Sequence, residues 1–306
     1  MKAVVCTKYG GPDVLKLAEV EKPVPKGNEI LVKVHATTVA SGDLRVRGFV
    51  SPVLFWLPMR IVLGISKPRN AVLGVELAGE VVDVGNRVKR FKKGDRIFAL
   101  TGMKFGGYAE YATIPEHATV ARMPSNATYG EAAAIPFGGT SALYFLRKGG
   151  IRSGQRVLIY GASGSVGTSA VQLAKHFGAE VTAACSAANA DFVKSLGADD
   201  VVDYAKEPIT AGGKRYDLVL DAVGKLVKSE TTNALAPGGN YTTVDGQGIA
   251  KVSQADLQFL KDLYEAGKLR AVIDRRYPLA QIPEAHRYVE TGRKKGNVVI
   301  DVADDA

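Results

Sequence analysis

Residues 159–167, Ile-Tyr-Gly-Ala-Ser-Gly-Ser-Val-Gly, carry the densest chemical signal in the chain. Gly161, Ala162, Ser163, Gly164, Ser165, Val166 and Gly167 place small side chains at Ala162-x-Gly164-x-x-Gly167, with an additional glycine at the turn. That spacing lets a backbone turn sharply, approach a pyrophosphate and pack a helix closely on a strand. A helix starting there offers N–H groups and positive potential to a phosphate. Apolar residues precede the loop, and Val166, Ala170, Leu173, Ala174 and Phe177 recur on one helical face after it. A tight turn without a ligand is the plainer alternative; the strand–loop–helix context favours a dinucleotide.

The next strand bears on which dinucleotide. It ends Ala-Ala-Cys-Ser-Ala-Ala-Asn at 183–189, without the acid that would grip a ribose 2′-hydroxyl and favour NAD. No Arg or Lys stands there either. Ser186 and Asn189 can donate hydrogen bonds, and Tyr204 and Lys206 follow the third strand of the pattern. These residues point to NADPH rather than NADH.

Other chemistry is sparse. The four histidines, His35, His117, His176 and His286, sit at no metal spacing and beside no motif nucleophile, and read as surface residues of strands, loops or helices. Two cysteines, Cys6 and Cys185, are too few for a disulfide scaffold or a four-cysteine zinc site, so a reducing, cytoplasmic setting is expected. The net charge of +9 includes clusters at 89–93 and 293–295. Without interleaved stacking aromatics these read as solvated faces whose field attracts a phosphate-rich cofactor, with no nucleic-acid partner expected.

The elements that must position the loop change character along the chain. Residues 29–35 and 79–85 alternate as strands do, and 94–100 and 108–114 continue the theme, which predicts a compact, barrel-like β domain. The N-terminus runs straight into a strand-like segment and lacks the features of a signal peptide. The apolar segment 49–65 is interrupted by Pro52, Pro58, Arg60 and Gly64, and reads as a loop or short helix rather than a membrane span. From about Pro124 the pattern turns to α/β. Residues 129–147 read as a helix broken at Pro136 and at Gly138 and Gly139. Strands at 156–160, 180–185, 200–203, 217–221 and 239–244 then alternate with helices, which implies a doubly wound parallel sheet. A helix at 257–267 and a strand at 296–301 complete the chain.

In order, LVKVHATTVASGDLRVRG, LGVELAGEVVDVGNRVKRFKKGDRIFAL, GGYAEYA, AAAIPFGGTSAL, GASGSVGTSAVQLAK, VKSLGADDVVDY, YDLVLDAVG and YPLAQIPEAHRYVETGRKKGNVVI resemble the zinc-free medium-chain dehydrogenases/reductases, over nearly the whole chain. The branch resembled is that of quinone oxidoreductases and alkenal/enone reductases. The resemblance implies a GroES-like β-barrel catalytic domain over 1–123 and 268–306, and a Rossmann NADP(H)-binding domain over 124–267. It places Thr140 near the nicotinamide ring, Ala222, Val223 and Gly224 by the nicotinamide ribose, Val244 and Asp245 by the carboxamide, and Asn297 near the cofactor. Asp43 is the one acidic candidate it puts near the reacting atoms, with a helix N-cap or buried structural partner as the alternative.

The same resemblance implies the absence of metal. Where zinc alcohol dehydrogenases carry Cys, His and Cys ligands, this chain has Ala40, Val75 and Pro136, and none of these side chains can coordinate zinc. The implied activity is hydride transfer from NADPH to a small quinone, or to the activated C=C bond of an enone or alkenal. A proton-donating Tyr, which related enoyl-thioester reductases carry after the Asp43 segment, is missing here. That counts against enoyl-thioester reduction, which stands as the further alternative behind a non-catalytic RNA-binding or crystallin-like role. The connection 245–253 is shorter than in close relatives, where it helps build a homodimer and the pocket rim.

Overall fold

The structure, a computed structural model, describes residues 1–50, 56–246 and 250–303. The chain divides into two compact units, Met1–Pro136 with Ile273–Ala306, and Phe137–Val272.

The first unit opens with β1 (Lys2–Cys6), β2 (Leu15–Glu19) and the ten-residue β3 (Glu29–Thr38). Helices α1 (Ser41–Gly48) and α2 (Trp56–Leu63) follow. The expected loop or short helix at 49–65 is therefore helical in its second half, and residues 51–55, including Pro52, lie outside the described residues. Then come β4 (Glu76–Val84), β5 (Arg96–Leu100), β6 (Tyr111–Pro115), β7 (Val120–Arg122) and the short α3 (Tyr129–Ala133). Thr128 caps α3 by accepting the Glu131 N–H at 3.3 Å, while the Glu131 carboxylate accepts the Thr128 N–H at 2.9 Å.

The second unit takes most of α4 (Pro136–Lys148), then β8 (Arg156–Tyr160), α5 (Ser165–His176), β9 (Glu180–Cys185), α6 (Ala190–Lys194), β10 (Asp200–Asp203), β11 (Tyr216–Asp221), α7 (Lys228–Ala234), β12 (Leu235–Thr243) and α8 (Gln254–Glu265). Pro136 opens α4, where its missing N–H costs nothing, but Gly138 and Gly139 do not break the helix as expected. A Cβ on Gly138 would lie 2.6 Å from the Ser165 hydroxyl, so glycine there serves a close approach to α5. The chain then returns to the first unit as β13 (Ile273–Pro278), α9 (Ile282–Glu290) and β14 (Asn297–Asp301).

In the first unit seven strands form one sheet in the order β13-β14-β3-β4-β5-β7, with β6 also on β3. Strand β3 is long enough to pair β6 along Glu29 to Lys33 and β14 along Ala36 to Thr38, with β4 on its other edge. Ile30, Val32, Val34, Leu77, Val81, Ile97 and Ile114 fill the core between these strands. In the second unit five strands run parallel in the order β10-β9-β8-β11-β12. The strand order reverses between β8 and β11, and ligands of such sheets bind beyond the carboxyl ends at that switch.

The unit limits differ from the expected 123/124 and 267/268. Helix α3 packs on β3 and β4, so it belongs to the first unit. At the other limit the Arg270 N–H donates to the Gln172 side chain at 2.9 Å, which keeps 268–272 with the second. Residues 247–249 of the short 245–253 connection lie outside the described residues.

Candidate dinucleotide site and a buried polar chain

In the second unit the residues 161–167 leave the end of β8 and enter α5. Gly161 has a φ of 76°, and a Cβ there would lie 2.2 Å from Val223 Cγ2, so both conformation and space require glycine. The Gly161 and Ala162 N–H groups donate to Ala184 O at 3.0 and 3.2 Å, which ties the loop to β9. Gly167 lets α5 pack on the loop, since a Cβ there would lie 2.2 Å from Gly161 O. Gly164 differs. Its φ is −80°, and a Cβ would meet only Gly161 O, at 3.5 Å. Among the described residues, its chain neighbours aside, no other atom comes within 4 Å of the position its missing side chain leaves. That open backbone face at a helix N-terminus fits a pyrophosphate.

The ends of β11 and β12 close on the same edge. Asp221, fully buried, accepts the N–H groups of Val223 (2.9 Å), Gly224 (2.7 Å) and Leu226 (2.8 Å). Its carboxylate thereby sets the turn through Ala222, Val223 and Gly224. A Cβ on Gly224 would lie 2.4 Å from Asp245 Cβ, and the Val244 N–H donates to Asp221 O at 3.1 Å. Val223, Gly224, Val244 and Asp245 are thus brought together beside Gly161. Thr140 is buried in α4, two residues after the glycine that meets Ser165. Asp221 escaped the sequence reading because an acid at a strand end resembles any turn residue.

At the end of β9 the Asn189 side-chain amide donates to the Ser186 hydroxyl at 3.3 Å, so these two stand together. The Tyr204 ring lies 5.5 Å from that of Tyr160, at the end of β8. Lys206 Nζ is 3.8 Å from Asp203, and Asp203 pairs in register with Cys185. The neighbouring strand therefore brings a carboxylate next to the strand end whose own sequence has none. Its field adds to burial in raising the Cys185 thiol to about 11.

In the first unit Asp43 is fully buried in α1. Its two carboxylate oxygens accept the Ala40 N–H and the Gly74 N–H, each at 3.0 Å, and the Tyr108 hydroxyl also bonds it. Burial nevertheless outweighs these bonds and raises its carboxyl to about 7. Both oxygens are engaged by backbone, which is the geometry of a structural partner rather than of an acid facing a substrate. One carboxylate thereby holds Ala40 and the Gly74–Val75 turn side by side. Among the described residues no group of three or more His, Cys, Asp or Glu is placed to hold a metal. Asn297 is buried in β14, with its amide donating to Ala134 O at 3.1 Å.

His286 is a correction to the surface reading. It is fully buried in α9, on the same side as Ile282, Ala285 and Val289. That apolar spacing was the signal that could have found it. Arg47 Nη1 lies 3.3 Å from His286 Nδ1, and His286 Nε2 lies 3.0 Å from the Tyr108 hydroxyl. Arginine has only donors, so Nδ1 accepts, Nε2 carries the proton, and the Tyr108 hydroxyl accepts it while donating to Asp43. Arg47 also donates to Glu290. Burial and the Arg47 charge push His286 down to about 3, which keeps it neutral. His35 instead stacks on Tyr129, with ring centroids 4.0 Å apart.

Residues 26–125 match the alcohol dehydrogenase GroES-like domain, and 165–269 and 248–300 match zinc-binding dehydrogenase families. A 2-methylene-furan-3-one reductase of Solanum lycopersicum is 36% identical, covering 98% of this chain and 79% of its own. A chloroplast envelope quinone oxidoreductase homolog of Arabidopsis thaliana is 33% identical, covering 98% of each. Among solved structures, the quinone oxidoreductase from Coxiella burnetii superposes with a TM-score of 0.89 at 28% identity over 99% of both chains. Likeness of this extent, over both the GroES-like and the Rossmann-like parts, makes the chain a member of the medium-chain dehydrogenase/reductase family, in its quinone/enone reductase branch.

Proposed function

We propose that the chain is an NADPH-dependent reductase that passes a hydride to a quinone or to the activated C=C bond of an enone or alkenal, without zinc. The observation that carries the reading is the cradle at Gly164, an open backbone face at the switch point of a parallel sheet. In this reading the first unit is catalytic and the second binds NADP(H).

Reduced nicotinamide, when bound, supplies the hydride. The backbone of 161–167 and the N-terminus of α5 hold the pyrophosphate. Ser186 and Asn189 face the 2′-phosphate, with Tyr204 beside them. Ala222, Val223 and Gly224 line the nicotinamide ribose, Val244 and Asp245 the carboxamide, and Thr140 the ring. Ala40 and Val75 offer no lone pair to a metal, so the acceptor must spread its own developing charge. Quinones and enones do so by conjugation, and water supplies the proton. Asp43 is then a positioning residue that holds Ala40 and Val75 in place. A cytoplasmic setting belongs to the same reading, supported by two free, buried cysteines.

The test is a screen of NADPH oxidation across quinones, enones, alkenals and enoyl thioesters, beside NADH, with and without chelator. Turnover of quinones or enones that chelator leaves unchanged is expected. Turnover confined to enoyl thioesters, no turnover at all, or activity lost with one tightly bound zinc per chain would overturn the reading.

A further inference from the structure

Helix α2 turns a cation inward and several aliphatic side chains outward. Its Arg60 guanidinium lies inward, 3.9 Å from the Phe49 ring centroid, 4.7 Å from that of Tyr9 and 4.8 Å from that of Trp56. It also donates to the Ile65 carbonyl, and Leu63 is buried one turn on. The opposite side presents Leu57, Ile61 and Val62, each 59–63% exposed, and Ile65 just beyond the helix is 79% exposed. Surface helices ordinarily turn their apolar stripe to the core and their charges to water. Exposed aliphatic residues occurring singly need no account, but a contiguous patch marks an interaction surface.

The charges around the patch identify what covers it. From residue 44 to residue 75 the chain has no Asp or Glu and five cations, Arg45, Arg47, Arg60, Lys67 and Arg69. Arg45, Lys67 and Arg69 are exposed, the last two within four residues after Ile65. Apolar side chains flanked by cations suit an anionic lipid surface, where the aliphatic groups enter the acyl boundary and the cations stay among the headgroups. Trp56, half exposed at the start of the helix, has the amphipathic ring that favours this boundary. A second copy fits less well, because two such faces would set cations against cations with no acid in the segment to pair them.

We propose that the outer face of α2 docks the protein peripherally on anionic bilayer surfaces. The chain has one tryptophan, at the start of α2 beside this face and in contact with Arg60, so its emission reports on this helix alone. The experiment titrates the intact protein with vesicles of phosphatidylcholine, and of phosphatidylcholine mixed with phosphatidylglycerol, at low and physiological salt. Trp56 emission should shift to the blue and the protein should pellet with the mixed vesicles, roughly tenfold more strongly than with the neutral ones at low salt. Ile61→Glu with Val62→Glu should cut partitioning by about tenfold or more while the circular dichroism and the NADPH titration stay unchanged. Lys67→Glu with Arg69→Glu, at exposed positions that leave the helix packing intact, should weaken binding to the mixed vesicles and reduce its salt dependence. Absence of both blue shift and pelleting on the mixed vesicles overturns the proposal, as does undiminished binding by both variants. A dimer that Ile61→Glu with Val62→Glu dissociates, with Trp56 emission already blue before lipid is added, overturns it in favour of a second copy.

Discussion

The Tyr108 hydroxyl lies 3.0 Å from His286 Nε2 and also bonds the Asp43 carboxylate, so two buried groups that titrate in opposite senses share one partner. Asp43 is raised to about 7, chiefly by burial, against roughly 3.9 in an unfolded chain. The folded state binds the extra proton, so stability from this group is full below about pH 4 and is lost as pH rises through 7. His286 is lowered to about 3, first by burial and then by Arg47, against roughly 6.5 unfolded. Here the unfolded state binds the extra proton, so stability is full above about pH 6.5 and is lost as pH falls towards 3. Between about pH 4 and 6.5 the two effects oppose each other and largely cancel.

Single substitutions should expose each half. His286→Gln leaves Asp43 unopposed, so stability should fall steadily between about pH 4.5 and 7.5. Asp43→Asn should show the reverse slope, rising with pH, because His286 then acts alone. Each variant should also lose roughly 1–3 kcal/mol at its best pH, since buried partners are left unsatisfied. In Asp43→Asn the new amide would face one of the two backbone N–H donors from Ala40 and Gly74. Urea unfolding at half-unit pH steps measures both slopes. Variants that keep the wild-type profile would show that neither group titrates across this range.

Two glycines of the same loop should fail for different reasons. A Cβ on Gly164 meets only Gly161 O at an ordinary 3.5 Å, so Gly164→Val should keep the melting temperature within a few degrees. Its side chain would occupy the space assigned to pyrophosphate, and NADPH affinity should drop by about a hundredfold or more, from lost backbone hydrogen bonds to a charged group. A Cβ on Gly167 would lie 2.2 Å from Gly161 O and 2.7 Å from Ala162 Cα, both backbone atoms that cannot yield cheaply. Gly167→Ala should therefore lose about 2–4 kcal/mol of stability through overpacking, whether or not cofactor is present. Calorimetry beside NADPH titration separates the two. A folded Gly164→Val that binds NADPH normally would mean that the loop holds no phosphate.

The parts of this fold buried as short apolar runs were the parts written in the sequence. Strands β8, β9 and β10 match their expected limits because short apolar runs stand between charged and glycine-rich turns. Strand β13, Ile-Asp-Arg-Arg-Tyr-Pro, was invisible. It lies at the sheet edge with exposed arginines and pairs β14 through its backbone, which leaves no apolar pattern to read. The loop 161–167 was legible because its chemistry is local, in consecutive residues. Asp221, Asp203 and His286 were not, because their roles depend on groups that only the folded chain brings to them. Asp43 stands between these cases, legible as an acid at a helix start but not as a clamp on a turn 31 residues further along.

Cofactor choice turns on the same distinction. Ser186 and Asn189 hydrogen-bond each other at 3.3 Å beyond β9, so the pair can be preset for an incoming 2′-phosphate. Neutral donors contribute about 0.5–1.5 kcal/mol each, and more to a charged phosphate. Two or three such bonds, less desolvation, give NADPH a preference over NADH of roughly ten- to several-hundredfold in kcat/KM, smaller than an arginine clamp would give. Asp203, beside Cys185 in register, works against this, and its engagement with Lys206 at 3.8 Å tempers its charge. Asp203→Asn should accordingly widen the preference for NADPH by a few-fold, through removal of a nearby like charge. Ser186→Asp should reverse the preference, because a carboxylate there repels the 2′-phosphate and accepts from the ribose hydroxyl of NADH. The measurement is kcat/KM for both cofactors in the wild type and both variants. Equal use of NADH and NADPH by the wild type would remove the phosphate pocket from the reading. A Ser186→Asp variant that still prefers NADPH would move the 2′-contact away from Ser186, and Asn189→Asp would then test its hydrogen-bonded neighbour.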